Sequence, residues 1–390
     1  MTQHLATKIL TYLKEQQANM LAFLESLVQS ESPSRVADAQ TQVLHLLAHK
    51  LNALAYHTIK IPGCHTGGYL FGRPLERLKG QPIQLMIGHC DTVWSLGTLE
   101  TMPINLENGQ MKGPGVYDMK AGLTQILFAL QTIQALGIEV EVTPVVLINS
   151  DEEIGSREST TAIRRLAKIA ERAFILEPPL GLDGKLKTAR KGLGRFTLTV
   201  KGRAAHAGLD PGKGISAIME LSHQIQQLFA LNDAEKGITV NVGMIEGGVS
   251  PNVVAPKSRA VIDVRVLTHK DADFITRKIH ALRPVHPDVT LEIEGFIGRP
   301  PMEKTQRNRN LWQAAQIEGE RIGLSLKEAT AGGGSDGNTT SLYTATLDGL
   351  GTTGDGAHAA HEFIFTEQLA ERTALLTLLL LAPAKKNVNI

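Results

Sequence analysis

Apolar and polar positions follow two different patterns along the chain. From residue 81, apolar strand-like runs, PIQLMIGH, VTPVVLINS and RAFILE, are separated by helix-like segments such as MKAGLTQILFALQTIQAL. Apolar residues share one face of that helix at Leu123, Ile126, Leu127, Leu130 and Ile133. Strands that alternate with helices in this way predict an α/β fold with a mainly parallel sheet and helices on both faces.

The second pattern begins after Glu177. The segment GRFTLTVKG alternates apolar and polar residues as a half-exposed strand does. A helix over about 214–231, two strands (ITVNVGMIEG and SRAVIDVRV), a helix over 269–282 and the strand DVTLEIEGF follow. The order β-α-β-β-α-β predicts a ferredoxin-like α+β domain. We therefore predict a first domain of residues 1–186 and 299–390, interrupted by an inserted domain of residues 187–298.

Composition narrows the range of partners. Lys and Arg number 40 against 39 for Asp and Glu, so the chain has no strong net field to attract nucleic acid or an anionic membrane. The most apolar stretch, ALLTLLLLA, is about half the roughly 20 residues that a membrane-spanning helix needs. The N-terminal region lacks the features of a secretion signal, and Cys64 and Cys90 form no CxxC pattern. We expect a cytoplasmic protein with no nucleic-acid or membrane partner.

Acidic residues and a histidine follow the predicted strands of the first domain, and one acid begins the helix after GPGVY. They are His89, Asp91, Asp118, Glu152, Glu153 and Glu177. Ligands of open α/β sheets bind at the carboxyl ends of the strands, so these side chains should meet at one edge.

Nitrogen and oxygen ligands without thiolates suit divalent ions such as zinc, cobalt or manganese. The acids exceed the needs of one four-coordinate zinc, so we expect two metal ions, about 3.5–4 Å apart and bridged by one carboxylate. The adjacent Glu152 and Glu153 fit a division in which one binds metal and the other transfers protons. A further ligand is expected in GDGAHAAHEFI, where His358 and His361 both qualify.

Six motifs in unchanged order resemble those of a known enzyme family. GHCDTV, GPGVYDMKAG, NSDEEIGS, ILEP, GRAAHAG and AHAAHE are similar to strings of the dizinc amidohydrolases that include glutamate carboxypeptidase, acetylornithine deacetylase, succinyl-diaminopimelate desuccinylase and aminoacylase. The resemblance covers about residues 85–364 and is nearest to the glutamate carboxypeptidase branch. It implies a zinc-exopeptidase-like α/β domain with an inserted dimerisation domain, hence a homodimer.

The resemblance also implies a role for each matching residue of the first domain. His89 and Glu177 would bind one zinc, Glu153 and His358 the other, and Asp118 would bridge them. His358 is preferred to His361 because the family pattern places a Glu four residues after the ligand, as Glu362 stands here. Asp91 would orient His89, and Glu152 would act as the general base.

Roles on the inserted domain and in the glycine-rich loop follow in the same way. His206 would stabilise the oxyanion in the neighbouring subunit, which implies domain closure. Asn252 and Arg265 match positions that hold the substrate's carboxylate, and amides around Gly333 and Gly334 could cradle an anion. Asp336 and Glu362 are expected only to order their loops.

The implied activity is hydrolysis of an amide bond next to a free carboxylate. A glutamate-carboxypeptidase-like metallopeptidase is favoured, and the alternative is an N-acyl amino acid deacylase of the same family. Basic residues at Arg190 and Lys191 favour an acidic side chain in the substrate.

Two other classes of function fit the sequence less well. GGSDG at residues 333–337 fits the G-x-S-x-G elbow of serine hydrolases, with Ser335, Asp355 and His358 in triad order. Three consecutive glycines and the poor strand SLKEATA argue against it, and it leaves the acidic segments unexplained. Retention of Glu152 and of the metal ligands argues against a catalytically silent relative.

Overall fold

The computed structural model describes residues 2–76 and 80–383, which form two compact units. The first comprises the described residues of Met1–Thr188, Lys304–Thr330 and Ser335–Ile390, and the second comprises Ala189–Glu303 and Ala331–Gly334. The helices of the described residues are α1 (Gln3–Glu15), α2 (Gln17–Gln29), α3 (Ala37–Ala53), α4 (Thr98–Thr101), α5 (Ala121–Ala135), α6 (Thr160–Ala167), α7 (Ala217–Phe229), α8 (His269–His280), α9 (Gln306–Arg321), α10 (Asp336–Thr340) and α11 (Thr366–Leu380).

The strands within the same residues are β1 (Tyr56–Ile61), β2 (Tyr69–Pro74), β3 (Ile83–His89), β4 (Asn105–Glu107), β5 (Gln110–Lys112), β6 (Thr143–Asn149), β7 (Ala170–Ile175), β8 (Leu186–Arg190), β9 (Gly192–Lys201), β10 (Thr239–Gly247), β11 (Lys257–Val266), β12 (Thr290–Arg299), β13 (Glu328–Ala331), β14 (Ala345–Leu347), β15 (Gly354–Asp355) and β16 (Phe363–Phe365).

The main sheet of the first unit has the order β1-β2-β6-β3-β7-β14. The block β6-β3-β7-β14 is parallel, whereas β1 and β2 add an antiparallel edge that the sequence pattern did not predict. Every residue of β3 and β6 is buried, as expected where both faces of a sheet are covered. The predicted mainly parallel α/β fold is confirmed, with an antiparallel edge as its one correction.

Helices cover both faces of this sheet. Alternate residues of β3 point to opposite sides, so Met86 joins the core that includes α5 and α11, while Leu85 packs with Ile163 of α6 on the other face. The apolar C-terminal stretch is the buried helix α11. Within the described residues, no helix has both the length and the apolar character needed to cross a bilayer.

The second unit contains the predicted ferredoxin-like arrangement. Its antiparallel sheet has the order β10-β11-β9-β12, and α7 and α8 supply the two crossovers. Inward-facing residues of the strands, among them Phe196, Leu198, Ile262 and Val264, pack with α7 and α8 into a core of its own.

The units differ in detail from the predicted domain boundaries. The segment SLKEATA, whose residue pattern is poor for a buried strand, contributes β13, and Ala331–Gly334 groups with the second unit. The part of the predicted first domain beyond residue 383 lies outside the described residues.

Candidate metal centre

Three neighbouring parallel strands deliver side chains to one edge of the main sheet. His89 is the last residue of β3, Glu152 and Glu153 follow β6 in a short helical turn, and Glu177 follows β7. Because β6, β3 and β7 are adjacent and parallel, their carboxyl ends lie side by side. The strand order therefore brings together residues that are up to 88 positions apart.

Asp118 lies between two histidines. It belongs to the turn Val116–Lys120 just before α5, where its backbone is not helical. One carboxylate oxygen, Oδ1, is 3.3 Å from His89 Nε2, and the other, Oδ2, is 3.4 Å from His358 Nε2. Each imidazole therefore faces a different oxygen of the same carboxylate.

Each histidine also faces a carboxylate that the other does not. Glu177 Oε1 is 3.5 Å from His89 Nε2, and Glu153 Oε1 is 3.1 Å from His358 Nε2. His358 has a left-handed backbone, with φ +62°, which is uncommon for a residue other than glycine. His361 is exposed and forms no ion pair within the described residues. The structure thus groups His89 with Glu177 and His358 with Glu153, on either side of Asp118.

Asp91 holds both His89 and the turn that carries the two glutamates. His89 Nδ1 is 2.9 Å from the backbone oxygen of Asp91 and 3.4 Å from its Oδ1. The Asp91 carboxylate also accepts hydrogen bonds from the backbone N–H groups of Glu152 and Glu153, both at 3.2 Å. Acceptors at Nδ1 favour the tautomer with its proton there, which leaves Nε2 free to act as a ligand.

Geometry alone does not separate a ligand role from a proton-transfer role for Glu152. Three potential ligand atoms lie within 4.8 Å of one another: a ring nitrogen of His89 and one carboxylate oxygen each of Glu152 and Glu177. A second group with the same spacing consists of His89, Asp118 and Glu153. Both glutamates of the adjacent pair therefore reach the same centre.

The close spacing of the charged groups shifts the pKa values of the histidines and carboxylates at the site. Contacts with Asp118 first, and then with Glu153, raise the pKa of His358 to about 10. Burial would lower the pKa of His89, but Asp118 and the other neighbouring carboxylates outweigh it and raise the pKa well above its usual range. Burial raises the pKa of Glu153, whereas His358 and His89 overcome burial at Asp118 and hold its pKa low. The neighbouring carboxylates therefore favour positive charge at this site.

These residues fit a pair of divalent cations. Asp118 Oδ1 is buried and has no partner of hydrogen-bond geometry within the described residues, as expected of a carboxylate oxygen whose partner is an ion. The ligand atoms are imidazole nitrogens and carboxylate oxygens, which suit zinc, cobalt or manganese. Cys90 is fully buried in the hydrophobic core and offers no thiolate, since burial raises the pKa of its thiol.

Two of the predicted site residues lie together in the second unit. His206 is bridged to Val253, and Ala207 N–H donates to the backbone oxygen of Asn252 at 2.9 Å. His206 Nδ1 accepts hydrogen bonds from Gly208 N–H and Leu209 N–H, each at 3.1 Å. With Nδ1 as acceptor, the neutral ring carries its proton on Nε2, which is then a hydrogen-bond donor.

The remaining predicted substrate contacts already have partners within the second unit. The Arg265 guanidinium contacts the Asp263 carboxylate at 2.7 and 3.1 Å, so a substrate carboxylate would have to compete with it. The backbone oxygens of Gly333 and Gly334 accept from Arg190 Nη1, each at 3.2 Å. The structure therefore gives the two glycines contacts through their carbonyls and supplies no direct support for an amide cradle.

Ser335 has the geometry of a helix cap. Its side chain is fully buried, caps α10 by accepting from Gly337 N–H at 3.0 Å, and donates to Asp348 Oδ2 at 2.5 Å. In the triad that the sequence suggested, Ser335 would have to be accessible and face His358 as its base. The serine-hydrolase alternative is therefore wrong on geometry, since no histidine is among these contacts of Ser335.

Two residues at the site have more contacts than the sequence indicated. Glu362, expected only to order its loop, is completely buried, and its carboxylate accepts from Trp94 Nε1 at 2.8 Å and Asp118 N–H at 3.0 Å. Burial raises its pKa to about 7 against the opposing effect of these donors. The four-residue spacing from His358 was the available signal, but nothing in the sequence pointed to Trp94.

The chain is similar to known proteins both in its inserted domain and along most of its length. Residues 188–287 match the M20 peptidase dimerisation domain. Carboxypeptidase G2 of Pseudomonas sp. (strain RS-16) is 27% identical over 356 residues, which cover 88% of this chain and 84% of that protein. Succinyl-diaminopimelate desuccinylase of Azoarcus sp. (strain BH72) is 26% identical over 89% of this chain and 96% of the relative. The chain is therefore similar to a carboxypeptidase and to a desuccinylase along most of its length, and to the M20 peptidase dimerisation domain over residues 188–287.

The fold of the chain has counterparts among solved structures. The aminopeptidase PepT of Bacillus cereus ATCC 10987 matches with a TM-score of 0.80 at 21% identity, over 93% of this chain and 98% of the other. The match spans nearly the whole of both chains, so it supports the fold of each unit. At this level of identity it is evidence of fold alone.

Proposed function

We propose that this protein is a metal-dependent hydrolase that cleaves an amide bond adjacent to a free carboxylate. The observation that carries the proposal is the position of Asp118, whose two oxygens face His89 and His358 at 3.3 and 3.4 Å. A carboxylate shared in this way, with one further glutamate beside each histidine, suits a two-metal hydrolase.

The residues divide into two sets of ligands. His89 and Glu177 would hold one ion, His358 and Glu153 the other, and Asp118 both. Zinc is the expected ion, and cobalt or manganese would fit the same donors. When bound, such a pair of ions polarises an amide carbonyl and lowers the pKa of a water molecule. His361 is not needed as a ligand in this assignment.

Glu152 is left for proton transfer. It would accept a proton from the attacking water as the C–O bond forms, and would deliver it to the amide nitrogen as the C–N bond breaks. Its backbone N–H, like that of Glu153, is fixed by Asp91, so the two side chains keep separate positions. Asp91 would thus act by orienting both His89 and the base.

The second unit supports a homodimer. Strand β10 lies at the edge of its sheet and exposes Met244 and Ile245, and the neighbouring helix α7 exposes Ile218 and Met219. An exposed edge strand beside apolar side chains is a surface that commonly pairs with another chain. The match to a peptidase dimerisation domain agrees with this role. In the dimer, Nε2–H of His206 would donate to the oxyanion formed in the partner's site.

The substrate class rests on the relatives. Carboxypeptidase G2 matches over 88% of this chain, which favours removal of a C-terminal residue. The desuccinylase relative matches over a similar length and supports deacylation of an N-acyl amino acid as the second candidate. Asn252 and Arg265 would contact the substrate carboxylate in both cases. For Arg265 this requires exchange of its contact with Asp263.

Metal content and a substrate screen test this function together. We expect about two zinc ions per chain by elemental analysis, with hydrolysis lost on chelation and restored by added zinc. Peptides ending in glutamate and N-acyl amino acids, assayed in parallel, distinguish the carboxypeptidase from the deacylase. Hydrolysis that persists in fully metal-free protein would refute the proposal.

A further inference from the structure

The carboxylate of Glu362 is saturated by four hydrogen-bond donors. Oε1 accepts from the backbone N–H groups of Tyr117 and Asp118, at 2.8 and 3.0 Å. Oε2 accepts from Gly115 N–H at 2.9 Å and from Trp94 Nε1 at 2.8 Å. Two oxygens offer about four acceptor positions, so this buried side chain has no capacity left for another partner.

These donors come from the segments that carry the candidate metal ligands. Gly115, Tyr117 and Asp118 form the turn that presents the shared carboxylate, and Trp94 lies in the loop after His89. Glu362 itself stands four residues after His358. One side chain therefore joins three segments that are far apart in sequence.

The turn around Glu362 determines where the Asp118 side chain can point. Asp118 has φ −115° and ψ 96°, and the next residue, Met119, also has a non-helical backbone. The N–H of Asp118 is fixed on Glu362. Backbone hydrogen bonds from Lys120 N–H to Gly115 O and from Ala121 N–H to Val116 O span the turn, and the carboxylate contact adds the partner of Asp118 N–H. Without it, the two oxygens of Asp118 would lose their fixed direction toward the two histidines.

We propose that Glu362 is a positioning residue: its buried carboxylate, by holding the Gly115–Asp118 turn and Trp94, sets the affinity of the His89–Asp118–His358 centre for divalent metal. The inference rests on the proposed function and adds a residue that does not itself touch metal or substrate. A carboxylate suits this position, since both of its oxygens accept hydrogen bonds.

Substitutions at Glu362 separate shape from acceptor capacity. Glu362→Gln keeps the shape but turns one acceptor into an NH₂ group that faces N–H donors. Glu362→Asp keeps the acceptors on a side chain one methylene shorter and should recover part of the loss. Trp94→Phe removes one donor of the four, and Glu367→Gln, at an exposed position of α11, is a matched control.

Zinc affinity of the metal-free protein, measured by titration calorimetry, is the principal readout. We expect Glu362→Gln to weaken zinc binding about 10–100-fold and Trp94→Phe to weaken it less, with Glu367→Gln unchanged. At saturating zinc, kcat should fall in Glu362→Gln while KM stays within about twofold, because the substrate contacts are elsewhere. The visible spectrum of the cobalt-substituted protein should change in parallel, since it reports ligand geometry.

The results distinguish failure of the proposed function from failure of the inference about Glu362. A wild-type protein that binds no divalent metal would refute the proposed function and this inference with it. Two zinc ions in the wild type, with equal affinity and kcat in Glu362→Gln, would overturn the inference alone. If Glu362→Gln does not fold, Glu362→Asp and Trp94→Phe decide, and wild-type zinc affinity in both would overturn it.

Discussion

Glu152 and Glu153 have the same chemistry and adjacent positions, but their surroundings differ. Glu153 contacts His358 at 3.1 Å, whereas Glu152 groups with His89 and Glu177. Their backbone N–H groups share one acceptor, Asp91, which holds the pair in a fixed turn. The distinction between a metal ligand and a base therefore depends on where each side chain points, which moves its carboxylate by only a few ångströms.

Glu152→Gln should separate catalysis from metal binding. We expect the variant to retain two metal ions while kcat falls by about 10²–10⁴, because the amide cannot accept the proton of water. The neighbouring variant Glu153→Gln should instead lose metal, as elemental analysis after dialysis would show. A wild-type kcat in Glu152→Gln would exclude it as the base.

A buried network connects two elements at this edge of the sheet. Asp336, at the start of α10, accepts from Asn149 Nδ2 at 2.8 Å, at the end of β6, and from Ser156 Oγ at 2.5 Å, in the turn after the two glutamates. Asn149 also donates to Ser159 Oγ, at 2.9 Å. A fully buried network of this kind makes the turn that carries Glu152 rigid.

Asp336→Ala should destabilise this turn. Removal of the carboxylate leaves the buried hydroxyl of Ser156 without this acceptor, at a cost of about 1–3 kcal/mol in the free energy of unfolding. Asp336→Asn should recover much of the loss, because its amide oxygen can accept from Asn149 while its NH₂ donates to Ser156. Thermal unfolding of the two variants, together with their kcat values, tests this prediction. Equal melting temperatures for Asp336→Ala and the wild type would contradict it.

At the scale of the whole molecule, the proposed dimer depends on one of two edge strands. The sheet of the second unit ends in β10 on one side and in β12 on the other. Ile245 on β10 is 60% exposed and has exposed apolar neighbours on its own strand and on α7, whereas Phe296 on β12 is 69% exposed. The broader apolar surface at β10 is the better candidate for burial between subunits.

Ile245→Lys should therefore convert the dimer to a monomer. A lysine at the centre of an apolar interface loses hydration without gaining a partner, whereas Phe296→Lys, on the opposite edge, should leave the dimer intact. Light scattering coupled to size-exclusion chromatography measures the mass of each variant. If only Phe296→Lys dissociates the dimer, the interface lies at the other edge, and a monomeric wild type would remove the homodimer altogether.

The sequence by itself determined the alternation of strands and helices, the inserted β-α-β-β-α-β unit and the residue types at the strand ends. These are local properties: burial enforces apolar periodicity, and polar residues are tolerated where a strand leaves the core. The antiparallel edge β1-β2 was not predictable in this way, because its pairing joins half-exposed segments whose periodicity is weak.

Only the tertiary structure decided how the chemical groups combine. It placed Asp118 between His89 and His358, buried Ser335 as a helix cap, and put Arg265 in contact with Asp263. It also gave Glu362 four donors, two of them from residues 244 and 245 positions away in the chain. Such contacts depend on strand order and loop paths, which no local pattern encodes, because groups distant in sequence meet only when the sheet has formed.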